Sequence, residues 1–211
     1  MHPDRILRHL ARDARLAPYL DPQHWQQETT TPDVYRRLLR AICGQQLSVK
    51  AAATIWGRFE AHFGGNAPSP ADLLDTELAT LRALGLSRQK AGYLQNIADY
   101  FTTALTAYDH WSALSDGAII RELTQIKGVG VWTVEMLLMF ALHRPDVLPV
   151  GDLGIQQGMQ SLYGIEATGK ALRARMVEIA APWRPYRSYA CRTIWRIKDA
   201  AKAGVILDTD R

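Results

Sequence analysis

The sequence predicts an all-α protein, and three observations support this fold class. Apolar side chains recur every three or four residues in most segments, which is the spacing of one helix face. Serine, or serine followed by proline, often stands just before these segments, where it can cap the first helical N–H groups. No segment shows the strict alternation of a half-buried strand. The 211 residues suffice for one large domain or for two small ones that share a cleft.

Start and stop signals divide the chain into about ten helices, joined by the short connections of compact helical folds. The first expected helix runs from Val34 to Cys43 and is opened by Thr31-Pro32-Asp33, which supply an N-cap, a proline at the first helical position and an early acid. The others are expected from Ser48 to Phe63, from Ser69-Pro70 over a short span, from Asp75 up to Gly85, from Ser87 to Phe101, from Ser115 to Leu123, from Val131 to His143, and over 152–163, 168–180 and 186–201. Gly64 and Gly65 are expected to end the second of these helices.

Composition excludes several classes of protein. Hydrophobic residues make up 47% of the chain and charged residues 22%, and no apolar run approaches the roughly 20 residues of a membrane span. No apolar signal segment follows Met1, so an intracellular protein is expected. Cys43 and Cys191 are too few for a disulfide framework or a four-thiolate cluster, and both are expected to be buried as small hydrophobic residues.

Positive charge is concentrated at one end of the chain. Residues 1–164 hold 15 Lys+Arg and 16 Asp+Glu, whereas residues 165–211 hold 10 and 5, so the whole positive excess behind the net charge of +4 lies in the last quarter. This asymmetry favours an anionic partner, with nucleic acid the first candidate. A solvated charged helix is the alternative interpretation.

The most informative stretch runs from Leu123 to Thr133. Gly128 and Gly130 bracket Val129, and glycines at this spacing allow a tight reversal between two helices. They also let a phosphate oxygen approach the backbone, where the dipole of the following helix favours an anion. A Gly-x-Gly is common in plain turns. The complete pattern, with a helix on either side, is more specific and indicates a helix-hairpin-helix.

With this hairpin, the chain resembles the helix-hairpin-helix–Gly/Pro/Asp superfamily of base-excision DNA glycosylases, and within it the 3-methyladenine DNA glycosylase II branch. The resemblance extends from Val34 to Lys198 and is carried by five motifs, at residues 44–52, 84–91, 123–133, 147–154 and 184–189. It implies two helical lobes with the active site in the cleft between them. Residues 37–142 are expected to form a six-helix lobe with the hairpin, and residues 1–36 with 143–211 the second lobe.

The resemblance makes Asp152 the catalytic carboxylate. A lone aspartate before a helix is more often an N-cap than a catalyst, but capping would also hold the carboxylate rigid. Cleavage of an N-glycosidic bond passes through a positively charged, oxocarbenium-like sugar, which a fixed carboxylate stabilises or towards which it directs water. Asp146 lies nearby but outside the motif, so it ranks well below Asp152.

Trp132 separates two subfamilies. In the bifunctional relatives, a lysine at this position of the hairpin forms a Schiff base and nicks the strand. This chain has tryptophan there, and Lys127 lies on the other side of the hairpin. The iron–sulfur branch needs four ligands near the C-terminus, where Cys191 stands alone. The resemblance therefore implies a monofunctional glycosylase.

A flipped base needs a pocket that stacks on it, and the resemblance places Trp132, Met136 and Tyr186 there. Trp132 and Met136 share one helix face, and an aromatic wall attracts the positive charge of an alkylated purine. Met136 replaces the aromatic residue usual in the family, which leaves the substrate range open. Core packing is expected for four other aromatic residues, Trp56, Phe59, Phe63 and Trp195.

Further residues are expected to contact DNA. In the relatives, the loop that matches residues 44–48 inserts a wedge into the minor groove, and Gln46 with Leu47 are favoured here, although a polar turn and a core leucine fit these positions equally well. The full set of DNA contacts expected from the resemblance is Lys127, Gly128, Val129, Gly130, Thr133, Gln45, Gln46, Leu47 and Arg187.

The sequence therefore predicts an intracellular, monomeric enzyme that acts on double-stranded DNA with damaged bases, needs no cofactor and does not bind membranes. A monovalent cation held by the hairpin carbonyls is left open. Two other functions remain as alternatives. One is a non-catalytic helix-hairpin-helix module, which leaves Asp152 and Trp132 unexplained, and the other is a bifunctional glycosylase/lyase, which needs a lysine in place of Trp132.

Overall fold

The computed structural model describes residues 3–25, 33–103 and 108–204, and the side chains of residues 108 and 109 lie outside that description. Within these residues the chain is helical, with no strand, which confirms the all-α fold class. The α-helices are α1 (Pro3–Leu10), α2 (Val34–Gly44), α3 (Val49–His62), α4 (Pro70–Asp75), α5 (Leu78–Ala83), α6 (Arg88–Thr103), α7 (Tyr108–Ala113), α8 (Asp116–Leu123), α9 (Val131–Phe140), α10 (Leu153–Tyr163), α11 (Gly169–Ala180) and α12 (Arg187–Lys202). Short 3₁₀ helices cover Ala17–Tyr19, Pro22–Trp25 and Ala181–Trp183.

The chain divides into two compact units. The hairpin unit is Thr30–Leu142, and the terminal unit joins Met1–Thr29 to His143–Arg211. The sequence suggested a first boundary at 36/37, a position that would cut through α2. It also suggested six helices for the hairpin unit, whose described part contains eight, three of them only six residues long.

The hairpin unit is built around α2. Leu38, Leu39 and Ile42 of this helix are fully buried, and α2 packs against α3, α6 and α9. Helix α6 packs in turn against α4 and α5. Burial of three large aliphatic side chains on one helix stabilises the fold by about 1.5–3 kcal/mol each before entropy is counted. The α2 core therefore fixes where the hairpin helix α9 lies within this unit.

The terminal unit is built around α10 and α12. These helices pack against each other, α10 also contacts α11, and α12 contacts the 3₁₀ helix Pro22–Trp25. Ile155 and Met159 of α10 and Ile194 of α12 are completely buried. This packing holds the beginning of α10 beside the middle of α12, which matters for the site below.

Helix caps follow the serine signals at four positions. Ser48, Ser69, Ser87 and Ser115 each accept a hydrogen bond from a backbone N–H three residues on. The Asp75 signal was wrong, because Asp75 is the last residue of α4 and α5 begins after Glu77. Acidic residues suit the first turn of a helix but do not decide where it begins.

The predicted helical run from Val34 to Cys43 is confirmed by α2, although Asp33 was expected to be an early acid of the helix and not its cap. Its N-cap is Asp33, whose carboxylate accepts a hydrogen bond from Arg36 N–H at 2.8 Å, while Thr31 and Pro32 lie outside the described residues. Helix α9 ends at Phe140, three residues before His143, which adopts a positive φ of 53°. Helices α1 and α7 and the 3₁₀ helices were not predicted from the sequence.

The two cysteines and the apolar segments bear on the class of protein. Cys43 and Cys191 are buried and form no disulfide, as expected, and burial raises the pKa of the Cys43 thiol to about 12. In the part of the chain that the structure describes, no helix has both the length and the apolar composition needed to cross a membrane.

Candidate functional site

The hairpin joins α8 to α9 and is anchored by two buried side chains. Ile126 and Val129 are buried, whereas Lys127 between them is exposed. The N–H of Val129 donates to the carbonyl oxygen of Ile126 at 3.0 Å and closes the turn. Val129 is therefore an anchor, and the exposed part of the hairpin consists of Lys127 and the backbone of its two glycines.

Gly128 and Gly130 have different structural roles. Gly128 has a φ of +105°, and a Cβ built on it would lie 2.2 Å from Cγ of Tyr93. Only glycine fits there, because the backbone lies directly against the ring and adopts a left-handed conformation. Gly130 is the N-cap of α9 with a φ of −93°, and no atom lies within 4 Å of a Cβ built there.

The loop between α2 and α3 is held by a lysine. Lys90 Nζ donates to the carbonyl oxygens of Cys43 at 3.0 Å and Gln45 at 2.7 Å, and burial lowers the pKa of this amine. Gln46, the next residue, has a φ of +58° and is exposed, and Leu47 is 39% exposed. A non-glycine residue in this conformation is strained, and such strain is concentrated at functional sites.

Helix α6 braces this loop and the hairpin together. Asn96 Nδ2 donates to the carbonyl oxygen of Lys127 at 3.1 Å, and Gln45 Nε2 makes a long hydrogen bond of 3.5 Å to that of Gly128. Lys90, Tyr93 and Asn96 follow one another at three-residue spacing on α6, so one helix face holds both elements. Sequence reasoning missed these three residues, which lie within or just beyond the 84–91 motif.

The same elements enclose a depression of about 650 Å³ in the hairpin unit. Its lining includes the loop from Gly44 to Leu47, both hairpin glycines, Tyr93 and Trp132. Trp132 is 45% exposed at the start of α9, whereas Thr133 is buried. The structure therefore brings Trp132 together with the predicted wedge loop and the hairpin.

Met136 lines a different depression of the hairpin unit, of about 200 Å³, with Arg37, Thr133 and Phe140. Trp132 does not line that depression, although the two residues lie one turn apart on α9. Tyr186 belongs to the terminal unit, where it is buried and its ring contacts that of His9 edge-on at 5.3 Å. The base-pocket roles of these residues stay predictions.

Asp152 is a rigidly held carboxylate. It is the N-cap of α10 and only 9% exposed, and its Oδ1 accepts hydrogen bonds from Ile155 N–H at 2.8 Å and from the indole Nε1–H of Trp195 at 2.9 Å. Hydrogen bonds to a charged acceptor are among the stronger ones in proteins. The expected helix cap is confirmed, and a second donor from α12 fixes the same oxygen.

Trp195 was therefore misjudged as ordinary core packing. The missed signal lies in α10, where Gly154 and Gly158 are one turn apart. A Cβ on Gly154 would lie 2.9 Å from Trp195 Nε1, and one on Gly158 would lie 2.4 Å from Ile194 Cγ2. Two glycines at this spacing let α12 approach closely enough for the indole to reach Asp152.

Asp146 forms salt bridges with two arginines. Arg187 donates through Nε to Oδ1 of Asp146 at 2.6 Å and through Nη2 to Oδ2 at 3.0 Å, while Arg184 Nη1 lies 3.0 Å from Oδ2. The Arg187 side chain is only 14% exposed. The structure thus places Arg187, expected to contact DNA, in a largely buried ion pair with Asp146, and its DNA contact stays a prediction.

Much of the basic C-terminal quarter is also used inside the terminal unit. Arg192 donates to the carbonyl oxygens of Trp25 and His24, Arg196 to that of Tyr19, and Arg175 pairs with Glu178. The charge asymmetry of the sequence therefore overstates the free positive charge of this region. Among the described residues, no group of three His, Cys, Asp or Glu side chains could hold a metal ion.

This chain is similar to known base excision DNA repair proteins. The model of the HhH-GPD superfamily of base excision DNA repair proteins matches residues 39–185. DNA-3-methyladenine glycosylase 1 of Schizosaccharomyces pombe is 37% identical over 170 residues, which cover 79% of this chain and 73% of that protein.

Two solved structures are similar along almost the whole chain. One is a 3-methyladenine DNA glycosylase of S. pombe in complex with abasic DNA, with a TM-score of 0.80, 30% identity, and coverage of 92% of this chain and 97% of that one. The other is a DNA-3-methyladenine glycosidase of Bacillus halodurans, with a TM-score of 0.78, 31% identity, and coverage of 93% and 90%.

Proposed function

The chain belongs to the HhH-GPD superfamily of base excision DNA repair proteins, and we propose that it is a monofunctional DNA glycosylase for alkylated bases of the 3-methyladenine type. It hydrolyses the N-glycosidic bond of a damaged base that has flipped out of the duplex. The products are the free base and an abasic site in an intact strand.

The observation that carries the proposal is the fixed carboxylate of Asp152. Two donors on Oδ1 and burial to 9% exposure hold this group in one position, so it needs no reorganisation when charge develops. As the glycosidic bond breaks, the sugar becomes positively charged, and Asp152 stabilises that charge or directs a water molecule at the anomeric carbon. Asp146 does not suit this role, because two arginines neutralise it.

Trp132 supports both the monofunctional reaction and the substrate class. An indole cannot form a Schiff base, so the strand-nicking chemistry of the bifunctional relatives has no amine at this position. Its half-exposed ring can stack on a flipped base, and a purine made cationic by alkylation gains a further cation–π attraction of about 0.5–2 kcal/mol. The positive charge on such a base also weakens its glycosidic bond, so no base-protonating acid is required.

Lys127 and the backbone of the hairpin would contact the phosphates of the DNA, and Gln46 with Leu47 would enter the gap left by the flipped nucleotide. The strained φ of Gln46 and the exposure of Leu47, on a loop held by Lys90, support the wedge. We further propose that the enzyme acts as a monomer inside the cell, where its duplex substrate is found. A monovalent cation at the hairpin carbonyls remains a proposal; those of Lys127 and Gly128 already accept side-chain amide hydrogen bonds.

One gel assay tests the reaction type. Duplex DNA with a single alkylated adenine is incubated with the protein and analysed with and without added alkali. The proposal predicts strands that break only after alkali, because a monofunctional enzyme leaves an abasic site. Direct nicking would indicate a lyase, and DNA that is bound but stays intact under both conditions would indicate a binding module.

A further inference from the structure

A depression of about 480 Å³ in the terminal unit is lined mostly by basic side chains. Its lining consists of Arg5, Arg8, His9, Arg12, Pro185 and Tyr186. Arg5, Arg8 and His9 share one side of α1 because residues three and four apart are neighbours on a helix. Ile6 and Leu10 of the same helix are buried, so α1 presents an apolar side to the core and a basic side to the depression.

The arginines of this cluster have no ion-pair partner among the described residues, although Asp4 lies one turn before Arg8 on α1. No carboxylate lines the depression, and Arg5, Arg8 and Arg12 are exposed and form no ion pair with a described residue. The carboxylate of Asp13, next in the sequence, is engaged elsewhere, where it accepts hydrogen bonds from Tyr163 Oη and Trp183 Nε1, both at 2.8 Å. Three clustered guanidinium groups repel one another unless an anion lies between them.

We propose that this basic cluster is a second phosphate-binding site, which holds the sugar-phosphate backbone of the DNA substrate in addition to the contacts of the hairpin. The inference rests on the proposed function, since DNA is then the polyanion available to the protein. Guanidinium groups bind phosphate oxygens through paired hydrogen bonds, and successive turns of α1 repeat about every 5.4 Å. His9 donates from Nε2 to the carbonyl oxygen of Pro182 at 2.9 Å and so fixes this side of the depression.

The salt dependence of DNA binding tests this site. The double variant Arg5→Gln/Arg8→Gln is compared with Lys170→Gln/Arg173→Gln, which removes the same charge from exposed positions of α11 in the same unit. Each phosphate contact contributes about 0.9 to the slope of log K against log[salt]. Loss of two contacts should therefore reduce the affinity lost between 50 and 200 mM NaCl by roughly tenfold relative to wild type.

The control variant should keep the wild-type slope, and thermal unfolding should show that both variants are folded. Ethylation interference then locates the contact, because phosphates whose ethylation weakens the wild type should no longer matter for the Arg5→Gln/Arg8→Gln variant. Equal slopes for wild type and the α1 variant would overturn the proposal, as would an equal fall for the control, which would show an effect of net charge alone. Excision by the wild type in the same preparation tests the proposed function separately.

Discussion

Trp195 illustrates how a single hydrogen bond can tie an apparent core residue to the chemistry. Its indole N–H donates to Oδ1 of Asp152, and Gly154 leaves the space for that approach. Because Trp195 holds the proposed catalytic carboxylate by this hydrogen bond, its effect on catalysis would be to position that group. The tryptophan itself carries no sequence signal for this, because core packing explains its pattern equally well, and only the glycine pair of α10 indicates the close approach.

Replacing Trp195 by phenylalanine should lower excision more than stability. Phe keeps most of the ring volume but removes the donor to Asp152, and a hydrogen bond to a charged group is worth about 1.5–3 kcal/mol, or roughly tenfold or more in rate if fully expressed in the transition state. The matched control is Trp25→Phe, which removes an indole hydrogen bond to Thr193 Oγ1 in the same unit. Single-turnover excision and thermal unfolding are measured for both variants. An equal loss of excision in both would reduce Trp195 to a general packing residue.

Trp132, unlike Trp195, was predicted to be functional, and its exposed ring distinguishes it from the buried core residues. Trp132→Ala should cost excision about 5- to 150-fold, corresponding to the 1–3 kcal/mol of stacking per base, while the melting temperature changes little because a half-exposed ring leaves no core cavity. Trp56→Ala, at a buried position, should instead destabilise by about 3–5 kcal/mol. Thermal unfolding with activity per folded molecule distinguishes the two. Normal activity with collapsed stability would make Trp132 a core residue.

Among the elements, the hairpin was predicted well from the sequence, but its contacts with other helices are seen only in the structure. The pattern from Leu123 to Thr133 predicted two helices and a tight turn, and α8, the turn and α9 lie there. It could not show that Gly128 lies against Tyr93 of α6, because that contact joins residues far apart in the sequence. Gly128 and Gly130 look equivalent in the sequence, but in the structure only Gly128 has a positive φ and lies against another side chain.

The hairpin glycines should therefore respond differently to alanine. Gly128→Ala forces a Cβ into the Tyr93 ring at a left-handed φ, so the hairpin must distort, and DNA binding should weaken at least about tenfold. Gly130→Ala meets no atom and keeps an ordinary φ, so binding should change much less. Base preference should be unchanged in both, because phosphate contacts do not read bases. Anisotropy titrations on damaged duplexes provide the measurement, and wild-type affinity for Gly128→Ala would contradict the account.

Helix caps could be predicted from the sequence because they join residues close together in the chain. Ser48, Ser69, Ser87 and Ser115 were read correctly because a serine hydroxyl acts on its own backbone neighbours. Pairings between distant elements were not readable, and Arg187 is the clearest example. It was expected to bind DNA, whereas the fold brings it against Asp146.

For the whole molecule, the sequence predicted the all-α class, the superfamily and the reaction type, because the motifs that define them are local. It overstated the free positive charge near the C-terminus and gave no sign of the basic side of α1. Both depend on which charges meet after folding, as with Arg192 on the carbonyl oxygens of Trp25 and His24. Charge counts by segment therefore predict a partner class better than they predict a binding surface.

Single-turnover excision by Asp152→Asn tests the catalytic role of Asp152 most directly. Both described donors lie on Oδ1, and asparagine keeps a carbonyl oxygen there, so the cap on α10 and the bond from Trp195 can persist while the charge is removed. Asp33→Asn, at the other aspartate N-cap, is the matched control. Asp146→Asn is unsuitable as a neutral control, because it breaks two ion pairs and is expected to lower stability.

We expect excision of an alkylated base by folded Asp152→Asn to fall by about two orders of magnitude or more, the usual cost of removing one electrostatic stabiliser. Binding to damaged DNA should persist, and Asp33→Asn should excise at the wild-type rate. Bases with the most labile glycosidic bonds should lose the least. Near-normal single-turnover cleavage by folded Asp152→Asn would contradict the assignment of Asp152 as the catalytic carboxylate.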